Sequence, residues 1–267
     1  MDLAVVIGLI IAFGAILGGN VLEGGHLSSL VVPSAFLIVV GGTIGSTMVS
    51  FSMRDLLRLP SILLHILRQP DLDLRQLIER IVEAAQVARR EGLLALEEAV
   101  ANMDDPFLVR GLQMVVDGSD SETVRSIMEM EIDLSERENE TGIKILETAG
   151  GYAPTMGIIG TVLGLVHVLG NLNNAEDLGP AIAVAFMATF YGIASANLIW
   201  LPLAAKLKVR SEEETLVREL ILEGIISIQR GDNPGMVREK LSIFLKGDGH
   251  VEEGGTVSNV RAREQNV

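Results

Sequence analysis

The sequence predicts an all-α protein: four transmembrane helices, a large helical cytoplasmic segment between spans two and three, and a helical C-terminal region after span four. Three observations carry this prediction. Asp, Glu, Lys and Arg are absent from Leu3–Leu22, Gly24–Met53, Thr148–Ala175 and Leu178–Ala205. About 20 apolar residues, at 1.5 Å each, cross a hydrocarbon core of roughly 30 Å. One such run could be a buried core helix. Four of them, in a chain with 48% hydrophobic and only 21% charged residues, read as membrane spans. The basic residues are also unevenly placed, and no stretch shows the apolar–polar alternation of a strand.

Residues 1–53 hold spans one and two. Span one has no basic leader, only Asp2, and no small-x-small cleavage site, so it is expected to persist as a span. The loop after span one holds only Glu23 and His26, and the loop after span three only Glu176 and Asp177. All 21 Lys and Arg lie elsewhere, 11 from Arg54 to Lys144 and 10 from Lys206 to Arg263. Basic residues collect on the cytoplasmic side, which places both termini and the central segment in the cytoplasm of a multi-pass inner-membrane protein.

Residues 54–147 are expected to form the cytoplasmic helical domain. Asp71 and Asp73 stand where a cap is needed after Pro70, and Leu72, Leu74, Leu77, Ile78, Ile81 and Val82 recur at helical spacing. The pattern runs to Gly92, and Leu93–Val100 carries on beyond it. Asp104-Asp105-Pro106 starts another helix, Phe107–Val116, which ends at Gly118-Ser119-Asp120. Glu122 then begins a long acidic helix leading into span three, and its part from Glu129 to Glu147 reads as a solvated stalk. Residues 148–205 are spans three and four. In 206–246, Ser211–Arg230 and Asn233–Lys246 read as two amphipathic helices, and 247–267 reads as a disordered tail.

Composition excludes several functions. The chain has no cysteine, so disulfides and cysteine-ligated metals are ruled out, and a net charge of −14 argues against nucleic acid. There is no nucleophile–base pair, no metal-ligand spacing and no phosphate-binding glycine loop; neither an enzyme nor a resident cofactor is expected.

A cation-carrying membrane protein normally needs an intramembrane carboxylate, and none of the four spans contains one. Either the protein moves no ion or a partner chain supplies the acid. The spans do hold hydroxyls. Thr161 and Thr189 each lie about eleven residues from a membrane face, roughly 16 Å deep. A threonine can back-bond to the carbonyl four residues earlier, but two at matching depth on adjacent spans also suit a pathway lining. Gly157, Gly160 and Gly164 form a stripe on span three that permits close helix packing. Pro154 and Pro202, near the inner ends of spans three and four, each remove a backbone donor and can bend those helices. His167, alone in the outer half of span three, reads as a packing residue before it reads as a proton relay. On one continuous helix Arg89 and Glu97 would project about 80° apart, which fits an ordinary solvated face unless Gly92 interrupts it.

The run from Tyr152 to Val166, Tyr-Ala-Pro-Thr-Met-Gly-Ile-Ile-Gly-Thr-Val-Leu-Gly-Leu-Val, resembles the third span of flagellar stator A-subunits, the MotA/MotP/PomA family. The stretch Ala88–Glu97 is similar to that family's Arg-x-x-Gly-x-x-x-x-Glu segment. Val116-Asp-Gly118 and Pro202 followed by basic residues fit as well, and the likeness extends from Met1 to about Lys246. The resemblance implies a ring of A-subunits, a pentamer, around two copies of a B-type stator subunit. That partner would have one span, an ion-binding aspartate and a peptidoglycan-binding domain. It further implies rotor-facing charges at Arg89 and Glu97 that push on the rotor switch protein, torque-linked prolines at Pro154 and Pro202, and ion-path hydroxyls at Thr161 and Thr189. Sodium-type members resemble this chain in having Thr at position 161, where many proton-type members have Ala, so Na⁺ is favoured over H⁺, with transient Na⁺ binding near Thr161. The related ExbB/TolQ energy-transducing subunits share the style of span three, but they have three spans and lack the Arg-x-x-Gly-x-x-x-x-Glu segment.

Overall fold

The computed structural model describes residues 3–67, 73–100, 103, 105–170 and 175–247, and among these it contains helices and turns but no strand. Four helical stretches are long and apolar enough to cross a membrane: Leu3–Leu22, Leu27–Ser50, Ser121–Gly170 and Leu178–Gln229. The chain divides into two units. One comprises Met1–Asp71 and Glu131–Thr215, the other Leu72–Met130 and Leu216–Val267.

In the first unit, α1 (Leu3–Leu22) is span one. Span two is not one regular helix. A 3₁₀ turn at Leu27–Leu30 leads to α2 (Pro33–Phe36), a π-turn (Leu37–Gly41) and α3 (Gly42–Ser50). Pro33 causes the break. A residue before proline is pushed from the helical region, and Val32 is extended at φ −121° and ψ 97°. A break inside a bilayer leaves backbone groups that no water can satisfy. Tyr191 satisfies two of them: the Val32 N–H donates to its hydroxyl at 2.9 Å, and that hydroxyl donates to the Leu30 carbonyl.

After α4 (Met53–Leu67) comes the membrane part of α8 (Ser121–Gly170), followed by α9 (Ala175–Ser195), a π-turn (Ala196–Trp200) and α10 (Leu201–Gln229). The sequence suggested a separate helix from Ser211; α10 instead runs unbroken from span four. Lys206, Lys208 and Arg210 are good helix formers, and no glycine or proline lies between 203 and 211 to stop the helix. The stalk expectation also needs correction. Ile145 and Leu146 are buried, and Leu146 packs with Ala204, Leu207 and residues of α4. The charges of 129–147 hide this narrow apolar edge when the stretch is read by overall polarity.

In the second unit, α5 (Leu74–Glu91) starts at Asp73, whose carboxylate accepts the N–H groups of Arg75 and Gln76 at 3.0 and 3.3 Å. Asp71, Pro70 and Leu72 lie outside the described residues. Leu74, Leu77, Ile78, Ile81 and Val82 are all buried, as their spacing predicts. Gly92, at φ +92° and ψ 166°, ends α5 in a conformation that favours glycine. The helix therefore does not continue through Leu93–Val100. A 3₁₀ turn (Leu93–Ala95) and the short α6 (Leu96–Val100) follow instead. Asp105 caps α7 (Pro106–Val116), and α11 (Pro234–Gly247) closes the described chain. The tail after Gly247 lies outside the described residues.

Candidate functional site

Spans three and four touch along small residues. A Cβ added to Gly157 would lie 2.8 Å from the Ala188 carbonyl oxygen, and one on Gly164 2.6 Å from the Ala185 Cβ. One on Gly192 would lie 2.5 Å from the Ala153 carbonyl oxygen. Packing is what the span-three glycines do here: they bring two backbones together. Their counterparts on span four, Ala185, Ala188 and Gly192, escaped the sequence reading, although small residues at positions 188 and 192 repeat the same four-residue spacing.

That close approach brings the two threonines together. The hydroxyl oxygens of Thr161 and Thr189 are 2.6 Å apart. Thr161 Oγ1 also lies 3.1 Å from the Gly157 carbonyl and 3.0 Å from that of Ala185, and Thr189 Oγ1 lies 3.4 Å from the Gly157 carbonyl. Four oxygens thus gather at one level of the helix pair. Each hydroxyl has one proton to donate and lone pairs to accept with, so the two protons serve the carbonyls or each other but cannot saturate the cluster. Both side chains are part-exposed. The back-bonding reading of Thr161 holds, because the Gly157 carbonyl is one of its partners, and the same hydroxyl also meets Thr189.

Pro154 lies inside α8 beside span four; a Cβ on Gly192 would be 3.1 Å from its Cα. Pro202 is the second residue of α10, directly after the π-turn. Proline lacks an N–H and crowds the carbonyl four residues earlier, and a wider π-turn makes room for the ring. His167 is on the exposed side of α8. Arg89 lies in the last turn of α5 and Glu97 in the first turn of α6, both exposed, with the Gly92 break between them.

One ion-pair cluster in the second unit was not visible from sequence spacing. Glu223 on α10 meets Lys240 of α11 and, at 3.3 Å, Arg125 of α8. Partial burial pushes the Glu223 carboxyl up. Hydrogen bonds and positive charge from Lys240 and Arg125 outweigh that effect and hold it below the usual glutamate range.

Comparison with known proteins covers nearly the whole chain. Residues 6–92 match the family model described as the motility protein A N-terminal region, and residues 99–220 match that of the MotA/TolQ/ExbB proton channel family. The chain is 38% identical to motility protein A of Bacillus subtilis, over 99% of both sequences. It is 37% identical to chemotaxis protein PomA of Vibrio alginolyticus, over 92% of this chain and 96% of that one. Its structure is similar to that of C. jejuni MotAB, with a TM-score of 0.88 and 31% identity, covering 95% of this chain and 100% of the other. It is also similar to the flagellar MotAB stator complex of B. subtilis, with a TM-score of 0.86 and 39% identity, covering 91% and 96%.

Proposed function

The chain belongs to the motility protein A family, within the wider MotA/TolQ/ExbB group, and on that premise we propose that it is a torque-generating stator subunit of a flagellar motor. One observation carries the reading of the site: a cluster of hydroxyl and carbonyl oxygens at mid-span, in spans with no carboxylate of their own. Such a cluster can ligate or pass a cation, but it has no group to bind and release a proton near neutral pH. The acid is assigned to a B-type stator subunit, a single-span protein anchored to peptidoglycan whose aspartate faces Thr161 and Thr189. The similar structures are of MotAB assemblies, which supports a two-component complex. The A-subunits form a ring, taken as a pentamer, in the inner membrane with both termini cytoplasmic.

Sodium is the proposed ion. Hydroxyl and carbonyl oxygens are hard ligands suited to a cation that sheds part of its water, whereas a proton hopping to a carboxylate needs no such ligands. Pro154 and Pro202 are the positions where spans three and four flex as the aspartate loads and unloads. Arg89 and Glu97 are the charges that engage the rotor switch protein. The experiment is complementation of a stator-deleted host with this chain and its neighbouring single-span partner. Swimming that depends on sodium is expected. Full-speed swimming in sodium-free medium overturns the choice of ion, and no swimming with a partner that co-purifies overturns the stator reading. Orientation is tested separately: a cysteine introduced at Ser242, unique in this chain, should react with an impermeant thiol reagent only after the membrane is opened.

A further inference from the structure

Small residues fix how far apart spans three and four lie, but not how they slide along each other. Cβ atoms added to Gly157, Gly160 and Gly164 would fall 2.8, 2.6 and 2.6 Å from Ala188 or Ala185 of α9. Such smooth faces lack the interlocking ridges by which larger side chains set a register. The Thr161–Thr189 contact needs a register as well as a distance. A slide of about 2.5 Å, less than two residues of helical rise, carries oxygens that stand 2.6 Å apart beyond hydrogen-bond reach. Nor can that contact hold the register while a cation is bound, because two oxygens that ligate one ion stand farther apart than two that share a proton.

Tyr191 supplies a register. It lies two residues after Thr189 on α9, and its hydroxyl accepts the Val32 N–H at 2.9 Å and donates to the Leu30 carbonyl. One donor and one acceptor on the backbone fix the hydroxyl in direction as well as in distance. Phe36 meets the Tyr191 ring edge-on, with centroids 6.4 Å apart and planes at 84°. The same turn of α9 carries Ala188, buried where spans two, three and four meet. Ala188 packs with Val32, Ala35 and Val39 of span two, while Gly160 of span three closes on its other side. This turn of span four therefore faces the threonine cluster on one side and the break of span two on the other. A hydrocarbon surrounding offers the Val32 N–H and the Leu30 carbonyl no other partner, so the tie is costly to break.

We propose that Tyr191 is a positioning residue for the Thr161–Thr189 oxygen cluster: its two hydrogen bonds to the break in span two fix the register of span four against span three. The irregular start of span two is then part of how the cluster is built. Order at the break and occupancy of the cluster are coupled, and what steadies one steadies the other.

The test is Tyr191→Phe, which removes one oxygen and keeps the ring. Hydrogen exchange is read on the purified complex with the single-span partner, and swimming speed against sodium concentration in a stator-deleted host. Exchange should rise about tenfold in the peptide that holds Val32 and also in the one that holds Thr189. No rise, or a rise confined to the Val32 peptide, overturns the proposal, because the tyrosine would then serve span two alone. The sodium concentration for half-maximal speed should rise about threefold to tenfold, with the speed at saturating sodium retained. A loss of assembled stators alone would lower the top speed and leave the half-maximum in place, and that result overturns the proposal as well. Phe36→Leu, which keeps the hydroxyl, should stay near wild type in both measurements; a shift as large as that of Tyr191→Phe would assign the effect to ring packing instead. If Tyr191→Phe does not assemble, the wild-type complex decides: replacing potassium with sodium should slow exchange in both peptides together. Slowing of the Thr189 peptide alone, or of neither, overturns the coupling. The sodium readout rests on the function proposed above. A wild type that swims equally well without sodium overturns that choice of ion, and the exchange of Tyr191→Phe then decides the positioning role by itself.

Discussion

The hydroxyl oxygens of Thr161 and Thr189 stand 2.6 Å apart across the interface of spans three and four. Neither threonine could be replaced by its apolar isostere without removing an oxygen that the other faces. In Thr161→Val the volume is kept and the proposed ligand oxygen is lost. An interaction between a hydroxyl and a charged species contributes about 1.5–3 kcal/mol. The sodium concentration for half-maximal swimming speed is therefore expected to rise about tenfold or more in Thr161→Val and to stay near wild type in Thr161→Ser. Speed measured against sodium concentration in a stator-deleted host checks this. Identical curves for the Val and Ser variants would remove Thr161 from the ion path.

The threonine contact depends on how closely the two helices approach, and Gly157 sets that approach. The atoms a Cβ there would meet are backbone, the Ala188 oxygen at 2.8 Å and the Thr189 Cα at 3.0 Å, and backbone cannot swing aside as a flexible side chain can. Overpacking of this kind costs about 1–3 kcal/mol. Gly157→Ala should lower the thermal midpoint of the purified complex, whereas Gly14→Ala, with nothing within 4 Å, should leave it unchanged or slightly raise it. Equal midpoints would mean the spans can part at no cost.

Glu223 makes the second unit sensitive to acid. Its folded carboxyl is held below the ordinary glutamate value, so its contribution to stability is fully present above that ordinary value. The contribution is lost as pH falls through the depressed folded one. Solvent at the edge of the cluster screens the pairs, so Glu223→Gln should cost only about 1 kcal/mol at neutral pH. It should also reduce the acid dependence of unfolding. Melting followed by circular dichroism at neutral pH and at acid pH tests both. A variant whose melting falls with acid as steeply as the wild type would assign the dependence to other carboxylates.

The four spans, the cap at Asp73, the helix start at Asp104-Asp105-Pro106 and the buried face of α5 were legible because each rests on a local signal: a charge-free run, an aspartate before a helix, an apolar period. The matched depth of Thr161 and Thr189 was legible by counting, but their contact was not. It depends on Ala185, Ala188 and Gly192, whose smallness has meaning only once span three is packed against them. The irregularity of span two was hidden for a similar reason. Pro33 announces a break, yet the hydroxyl that makes the break tolerable belongs to Tyr191, 159 residues beyond Val32. The continuity of α10 is hidden in the sequence because a change from apolar to charged composition imitates a helix end, when it marks only the passage from lipid to water.

Arg89 and Glu97 are exposed residues on two separate elements, and Gly92, at φ +92°, fixes the turn between them. Were they an intrahelical pair, reversing both charges would restore what reversing one had broken. With the helix broken, each charge is proposed to meet its own counterpart on the rotor, and the losses should add. A single interfacial charge contact is worth about 1 kcal/mol, or about fivefold in engagement. Arg89→Glu and Glu97→Lys should each reduce torque on tethered cells with ring assembly intact, and the double variant should be worse than either. Recovery in the double variant would show that the two residues pair with each other. Unchanged torque in all three would overturn the assignment of the rotor contact to Arg89 and Glu97.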